Sequence, residues 1–196
     1  TGCPETCGGN NFAAWYGPNV GDSACTKNQP DADKPCAFSY ETSGHFSVPD
    51  TADGCRLKKM ITLQRGDVFE VTGSPTATPS LNALKAVGGV PTPEDPRRHF
   101  HVTAGATLRL AHLKLTGGSV TLNYKTPRFD NCAGGSILVN GARSELIVQS
   151  VLFAGACGSS ACAYFGGAVA VYTGGRVKVK DSTFQDFTAE VHGGAL

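Results

Sequence analysis

Methionine and tryptophan occur once each in the 196 residues, and aromatic residues make up only 8% of them. So little methionine argues against a helical protein. Charge of one sign is not in excess either: 17 Lys and Arg stand against 16 Asp and Glu, a net charge of +1. Phosphate binding needs a clustered positive field, so a basic nucleic-acid module is excluded as the default reading. An acidic solvating chain is excluded by the same balance. No run of apolar residues approaches the roughly 20 that a helix needs to span a membrane. The chain does not open on a basic and then apolar stretch, so any signal peptide is expected to have been removed. Asn-x-Ser/Thr occurs nowhere, and N-linked glycosylation is not expected.

What is present narrows the class. Hydrophobic residues reach 40%, enough for a core, and the length fits one domain or one domain with a small appendage. Twenty-five glycines and 11 prolines make turns frequent, and eight cysteines show no tight metal-ligand cluster. Together these describe a turn-rich, β-rich, disulfide-bearing extracellular protein.

The chain divides unevenly. Residues 1–56 hold Cys3, Cys7, Cys25, Cys36 and Cys55 among many Gly, Pro, Asn and Asp. They read as an irregular disulfide-rich cap or joining segment, with too few periodic apolar residues to bury a core alone. From residue 57 to 196 the pattern is that of a second unit. Met60-Ile61-Thr62-Leu63-Gln64 and Val68-Phe69-Glu70-Val71 predict two short strands around a break at Gly66-Asp67. Residues 73–97 are rich in Pro, Thr and Ser, with one short helix expected at 81–87, and read as an excursion outside the core. Ser74-Pro75, Thr78-Pro79 and Pro91-Thr92-Pro93 carry a compositional hint of O-glycans or hydroxyproline.

Beyond Phe100 the chain repeats itself. Leu108, Leu146 and Val177 correspond, as do Leu110, Val148 and Val179, and then Leu115, Phe153 and Phe184; each set is spaced by 38 and then 31 residues. Glycine pairs open the later units at Gly134-Gly135, Gly166-Gly167 and Gly193-Gly194, each followed by a short apolar stretch. A fixed period of strands without a helical period means stacked coils. A 31-residue unit buries its apolar side only against its neighbours, so equivalent strands lie parallel, about 4.8 Å apart. Parallel crossovers favour the right hand. The fold class expected is all-β: a right-handed parallel β-helix of four to five coils behind the irregular N-terminal segment.

Alternation assigns the faces. The sets above point inward, whereas Arg109, Ala111, Glu145, Ile147, Gln149, Arg176, Lys178 and Lys180 point outward, with Glu145 near Arg176 or Lys178 of the next coil.

Units written GGA-V-A-V, then G-x-V-x-V, then D-S-T-F, then a bend and another GGA resemble the repeats of right-handed β-helix surface proteins. The pattern is similar to the polymorphic outer-membrane-protein and autotransporter-passenger repeats, which have secreted and cell-surface relatives in algae and other protists. The likeness covers residues 99–196 well, 57–72 weakly and 1–56 not at all. The family's Asn after the Phe is missing here: Gln185-Asp186-Phe187 follow Phe184, and Ala154-Gly155-Ala156 follow Phe153.

Polysaccharide lyases and hydrolases share the expected shape. A lyase needs acidic calcium ligands beside a basic residue, yet of the outward positions above only Glu145 is acidic. A hydrolase needs two carboxylates about 5–10 Å apart, and only Asp181 and Asp186 lie close in the repeats. No catalytic residue, resident metal or cofactor is assigned. His99 and His101 have the spacing of two metal ligands on one strand, but no third ligand is near, so surface or corner histidines are the plainer reading. Arg97-Arg98-His99 reads as a solvated basic loop end.

If all eight cysteines paired within the chain, an odd number of disulfides would join the five before residue 56 to Cys132, Cys157 and Cys162. Cys157 with Cys162, Cys3 with Cys7 and Cys25 with Cys36 are plausible local pairs, leaving Cys55 for Cys132; connectivity stays open. Finally, Gly193-Gly194-Ala195-Leu196 starts another coil and presents an uncapped edge. The expected partners are therefore self-association or continuation of the β-helix through that end, and glycans come second. The expected role is structural or adhesive at a cell surface, as in a filament or an appendage of the mastigoneme kind. A polysaccharide-acting enzyme and a glycan-binding module are the alternatives.

Overall fold

The computed structural model describes residues 13–16, 38–40, 44–48, 50, 55–57, 60–83, 98–120, 132–155 and 162–196. Cys3, Cys7, Cys25, Cys36, Cys157, Tyr124, the loop at 28–35 and the Pro-rich stretch at 91–93 lie outside them. The described residues are all-β with parallel sheets.

Alternating short strands build three such sheets, and the chain visits them in a recurring order. Sheet I holds β3 (Gly44–Ser47), β6 (Val68–Thr72), β9 (Thr107–Ala111), β12 (Glu145–Gln149) and β16 (Arg176–Lys180). Sheet II holds β4 (Cys55–Leu57), β7 (Ser80–Asn82), β10 (Lys114–Thr116), β13 (Leu152–Ala154) and β17 (Thr183–Gln185). Sheet III holds β5 (Ile61–Leu63), β8 (Phe100–Val102), β11 (Ile137–Asn140) and β15 (Val169–Tyr172). One strand from each sheet makes a circuit, and the next circuit lays its strands parallel beside the last. A small fourth sheet pairs β14 (Ala163–Phe165) with β18 (Ala189–His192), on the way from sheet II to sheet III. Beyond β4 one strand runs against the rest: β1 (Ala13–Tyr16) pairs antiparallel with β4 and, on its other side, with β2 (Phe38–Tyr40).

Register follows the hydrophobic alternation. In sheet I, Phe69, Leu108, Leu146 and Val177 are direct partners, and so are Phe46, Val71, Leu110, Val148 and Val179. Sheet II lines up Cys55, Leu81, Leu115, Phe153 and Phe184, and sheet III lines up Ile61, Phe100, Ile137 and Val169. A slip by one residue would turn every such side chain to the other face, so burial fixes the register. Buried residues of all three sheets form one core cluster. Within it the rings of Phe153 and Phe184 stack 4.5 Å apart at 13°.

Two kinds of corner join the strands. Between sheets I and II a single residue turns the chain in the left-handed region: His112, Ser150 and Asp181, with φ of 54°, 52° and 49°. Ahead of sheet III stand the glycine pairs. There Gly135 donates to the Gly167 carbonyl at 3.1 Å and Gly167 to the Gly193 carbonyl at 2.9 Å. A Cβ on Gly135 would collide with the Gly167 oxygen, and one on Gly167 with the Gly194 oxygen. Backbone stacks on backbone there, which is why the sequence places glycine in pairs.

Three expectations are corrected. The Pro-, Thr- and Ser-rich stretch is not wholly an excursion: residues 80–82 form β7, Leu81 is fully buried, and no helix starts at 81. The parallel sheets also begin before residue 57, because β3 pairs with β6 and β4 with β7. Third, Val179 is inward by register but 42% exposed, because among the described residues no strand lies beyond β16 to cover it.

Candidate interaction edge and buried polar corner

Among the described strands the last of the stack, β15, β16 and β17, have a neighbour on one side only. Inward residues of β16 and β17 stay partly in solvent, whereas Val169 of β15 is buried in the core. Val171, Val179, Val191 and Leu196 are 40%, 42%, 41% and 58% exposed, and Val177, Phe184 and Phe187 are only partly buried against the core. At the other end, Phe46, Leu57, Ile61 and Leu63 are at most 1% exposed. Among the described residues one end of the core is thus covered, and the other keeps apolar side chains partly in solvent. The residues expected at this edge continue the glycine corner. Gly193 accepts from Gly167 at 2.9 Å, and Ala195 accepts from Ala168 and Val169 at 3.1 and 2.9 Å. The Gly194 carbonyl stands where a Cβ on Gly167 would point.

Outward on the edge strand stand Arg176, Lys178 and Lys180, all exposed. Glu145 faces Arg176 across the register, and its Oε1 lies 2.8 Å from Lys178 Nζ. Lys180 Nζ approaches Asp181 at 4.0 Å. Both pairs are solvated and add little to stability, within about 1 kcal/mol each.

The basic segment at 97–99 departs most from expectation. Arg98 and His99 are 2% and 0% exposed, not a solvated loop end. Arg98 stands where the later circuits carry glycine, and its guanidinium fills the corner: Nε donates to the Gly134 carbonyl at 2.8 Å and Nη2 to the Ala133 carbonyl at 2.6 Å. His99 is buried one residue before β8. Ser136 Oγ lies 2.8 Å from its Nδ1 and the Leu81 carbonyl 3.2 Å from its Nε2. A carbonyl only accepts, so Nε2 carries the proton and Nδ1 accepts from the serine hydroxyl. Burial pushes the imidazole pKa down to about 4, against the opposing effect of hydrogen bonds to the Leu81 and Thr116 backbone. His101 lies within β8, in register with Thr62 and Leu138. Among the described residues no group of three or more His, Cys, Asp or Glu converges as a metal site would. No local pattern signals this corner, because the acceptors of Arg98 lie 35 and 36 residues ahead of it.

The expected Cys55–Cys132 bond does not form. Cys55 and Cys162 are each in a disulfide, but Cys132 carries a buried thiol. Cys55 lies in the first strand of sheet II and Cys132 just ahead of β11, two circuits on. That is roughly 10 Å along the stack, beyond the reach of a disulfide. Not all eight cysteines therefore pair within the chain.

Aromatic residues come together at the small fourth sheet. Tyr164 meets Phe165 edge-on at 4.8 Å, Phe165 stacks on His192 at 6.1 Å, and Phe165 and Tyr172 pack on a small second cluster with Leu138 and Ala170. Burial and the neighbouring Cys132 raise the Tyr172 pKa.

The fold and this edge define an all-β protein of stacked parallel strands. Comparison of the chain with protein-family profiles, curated proteins and solved structures returns no match. Among the described residues no helix is long and apolar enough to cross a membrane.

Proposed function

We propose that the chain is an extracellular structural or adhesive protein: a right-handed parallel β-helix, capped or joined by its disulfide-rich N-terminal segment and extended past its last strands, by self-association or by continuation of the same β-helix, as a building block of a surface filament or appendage of the mastigoneme kind. One observation carries this reading. Inward residues line up strand over strand across three parallel sheets and meet in one core cluster, the build of a stiff stack. The fixed order of the three sheets supports closure into a solenoid, since the same core cluster receives all three. Disulfide-bonded Cys55 and Cys162 support an oxidising, extracellular setting. Negative-stain electron microscopy of the protein isolated from its source tests the assembly. Filaments with a regular axial repeat are expected, and isolated short rods would sink the filament.

A second reading, a glycan-binding module, is favoured by the grouping of Tyr164, Phe165, Tyr172 and His192 on one side of the stack. Binding to a glycan array, lost on Tyr164→Ala, would select it over the first.

A further inference from the structure

We propose that the outward face of sheet I binds a linear carboxylated polysaccharide, held by Arg109, Arg176, Lys178 and Lys180. The inference rests on the structural reading above for its extracellular setting, and it names the material the stack lies against.

Register sets these four cations on a regular lattice. Ile147 of β12 stands between Arg109 of β9 and Lys178 of β16, while Glu145 and Gln149 face Arg176 and Lys180. Strands lie about 4.8 Å apart and rise about 3.3 Å per residue, so Arg109 and Lys178 are roughly 10 Å apart across the strands, and Arg176 and Lys180 roughly 13 Å apart along one. All four are exposed. Both borders of this face are short. Residues 103–106, 141–144 and 173–175 lead in from sheet III, and 112–113, 150–151 and 181–182 lead out to sheet II. The longer connections, 83–99, 117–136 and 155–168, all run from sheet II to sheet III. A strand laid beside β16 would lengthen the face and leave these outward side chains in place.

These cations are not spent on the protein itself. Among the described residues the guanidinium groups of Arg109 and Arg176 enter no ion pair, although Glu70 and Glu145 face them in register. Lys178 meets Glu145 in a solvated pair that adds little, so a ligand carboxylate can replace Glu145 at little cost. The neighbouring side chains decide which polyanion fits. A protein interface needs an apolar, aromatic-rich centre, and single-stranded nucleic acid needs rings to stack on. Among the outward positions of β9, β12 and β16, Ile147 is the one apolar side chain larger than alanine, and none is aromatic. Anionic lipid marks the cytoplasmic leaflet, whereas Cys55 and Cys162 are each in a disulfide, as in an oxidising compartment. A sugar chain suits what is left: Thr107 and Gln149 offer hydrogen bonds to hydroxyls, and Ala111 and Ile147 offer contact to ring carbons. Glu145 stands among the cations and Asp181 beside Lys180. One carboxylate per sugar fits these interruptions, and arginine takes a carboxylate in two parallel hydrogen bonds. Several sulfates per sugar would be set against Glu145 and Asp181.

The test uses the full chain and fluorescein-labelled oligosaccharides of alginate, a linear polyuronate, in calcium-free buffer. Fluorescence anisotropy is expected to show binding that weakens between about 50 and about 500 mM NaCl as the charges are screened. Labelled neutral dextran is expected not to bind. Arg109→Gln combined with Lys178→Gln is expected to bind alginate about fivefold more weakly or worse, and Glu145→Gln, which frees Lys178, about twofold more tightly. Lys114→Gln, which removes a cation of sheet II, is expected to bind as wild type does. No binding of alginate, equal binding by the double variant, no gain from Glu145→Gln, an equal loss from Lys114→Gln, a loss on Tyr164→Ala instead, or binding of dextran sulfate without alginate would each overturn the inference. Filaments from the source together with any of these results would leave the structural reading standing. Alginate binding by isolated short rods would sink the filament and spare the chemistry of this face.

Discussion

The hydroxyl of Ser136 lies 2.8 Å from Nδ1 of His99, and both residues are sealed from solvent. The bond joins two successive circuits at one corner, and it uses the imidazole as an acceptor. A protonated ring has no lone pair for it, and its charge would sit sealed from solvent.

Stability should accordingly depend on pH through His99. Its folded pKa is about 4, below the ordinary 6.5. Above the higher value both states are neutral and the residue exerts no pH dependence. As pH falls through the window, the unfolded chain takes up a proton that the folded chain refuses. Stability then falls by about 1.4 kcal/mol per pH unit, about 3 kcal/mol in all. Urea midpoints recorded across this window should drop for the wild type and drop less for His99→Gln. Parallel curves would show that the imidazole is not responsible.

Arg98 gives a second expectation. Truncation to alanine leaves the Ala133 and Gly134 carbonyls without their guanidinium donors, at about 1–3 kcal/mol for each buried group left unsatisfied. Lysine cannot fork to two carbonyls in fixed geometry, so Arg98→Lys should recover less than half of the loss. Chemical denaturation of both variants decides it, and equal stability of R98K and wild type would refute the fork.

The glycine corner separates two kinds of glycine. At Gly66, with φ of +91°, nothing stands within 4 Å of an added Cβ. Gly66→Ala should cost only the left-handed backbone, about 1–2 kcal/mol. Gly135→Ala must also displace the backbone of the next circuit and should cost well above that. Thermal melts that rank the two equally would contradict backbone-on-backbone stacking.

Phe153 and Phe184 occupy one register position but unequal surroundings. Phe153 is fully buried between neighbours, so Phe153→Ala should lose about 3–5 kcal/mol. Phe184 is covered from one side, and Phe184→Ala should lose clearly less in the same urea titration. Equal losses would mean that the edge is covered in solution.

Much of the stack was legible because repetition samples each inward position several times. Leu108, Leu146 and Val177 could be aligned without any structure, and they are register partners. What escaped was too short or too distant to leave a pattern. The three residues of β7 cannot display an alternation, and they sit among prolines and threonines. Arg98 and His99 looked solvated because composition reports polarity, whereas their burial is set by carbonyls and a hydroxyl from another circuit. Cys132 was matched by counting, which is blind to distance along the stack.

Circuit length varies without disturbing the strands. In sheet I the partners Phe69, Leu108, Leu146 and Val177 are separated by 39, 38 and 31 residues, and Gly44 precedes Phe69 by 25. The surplus leaves from the corners and returns to them. The architecture thus separates scaffold from ornament: cross-section is held by a few short strands, while each bend is an independent place to lengthen, trim or exchange sequence. A protein built this way can vary what it displays one bend at a time and keep its girth unchanged.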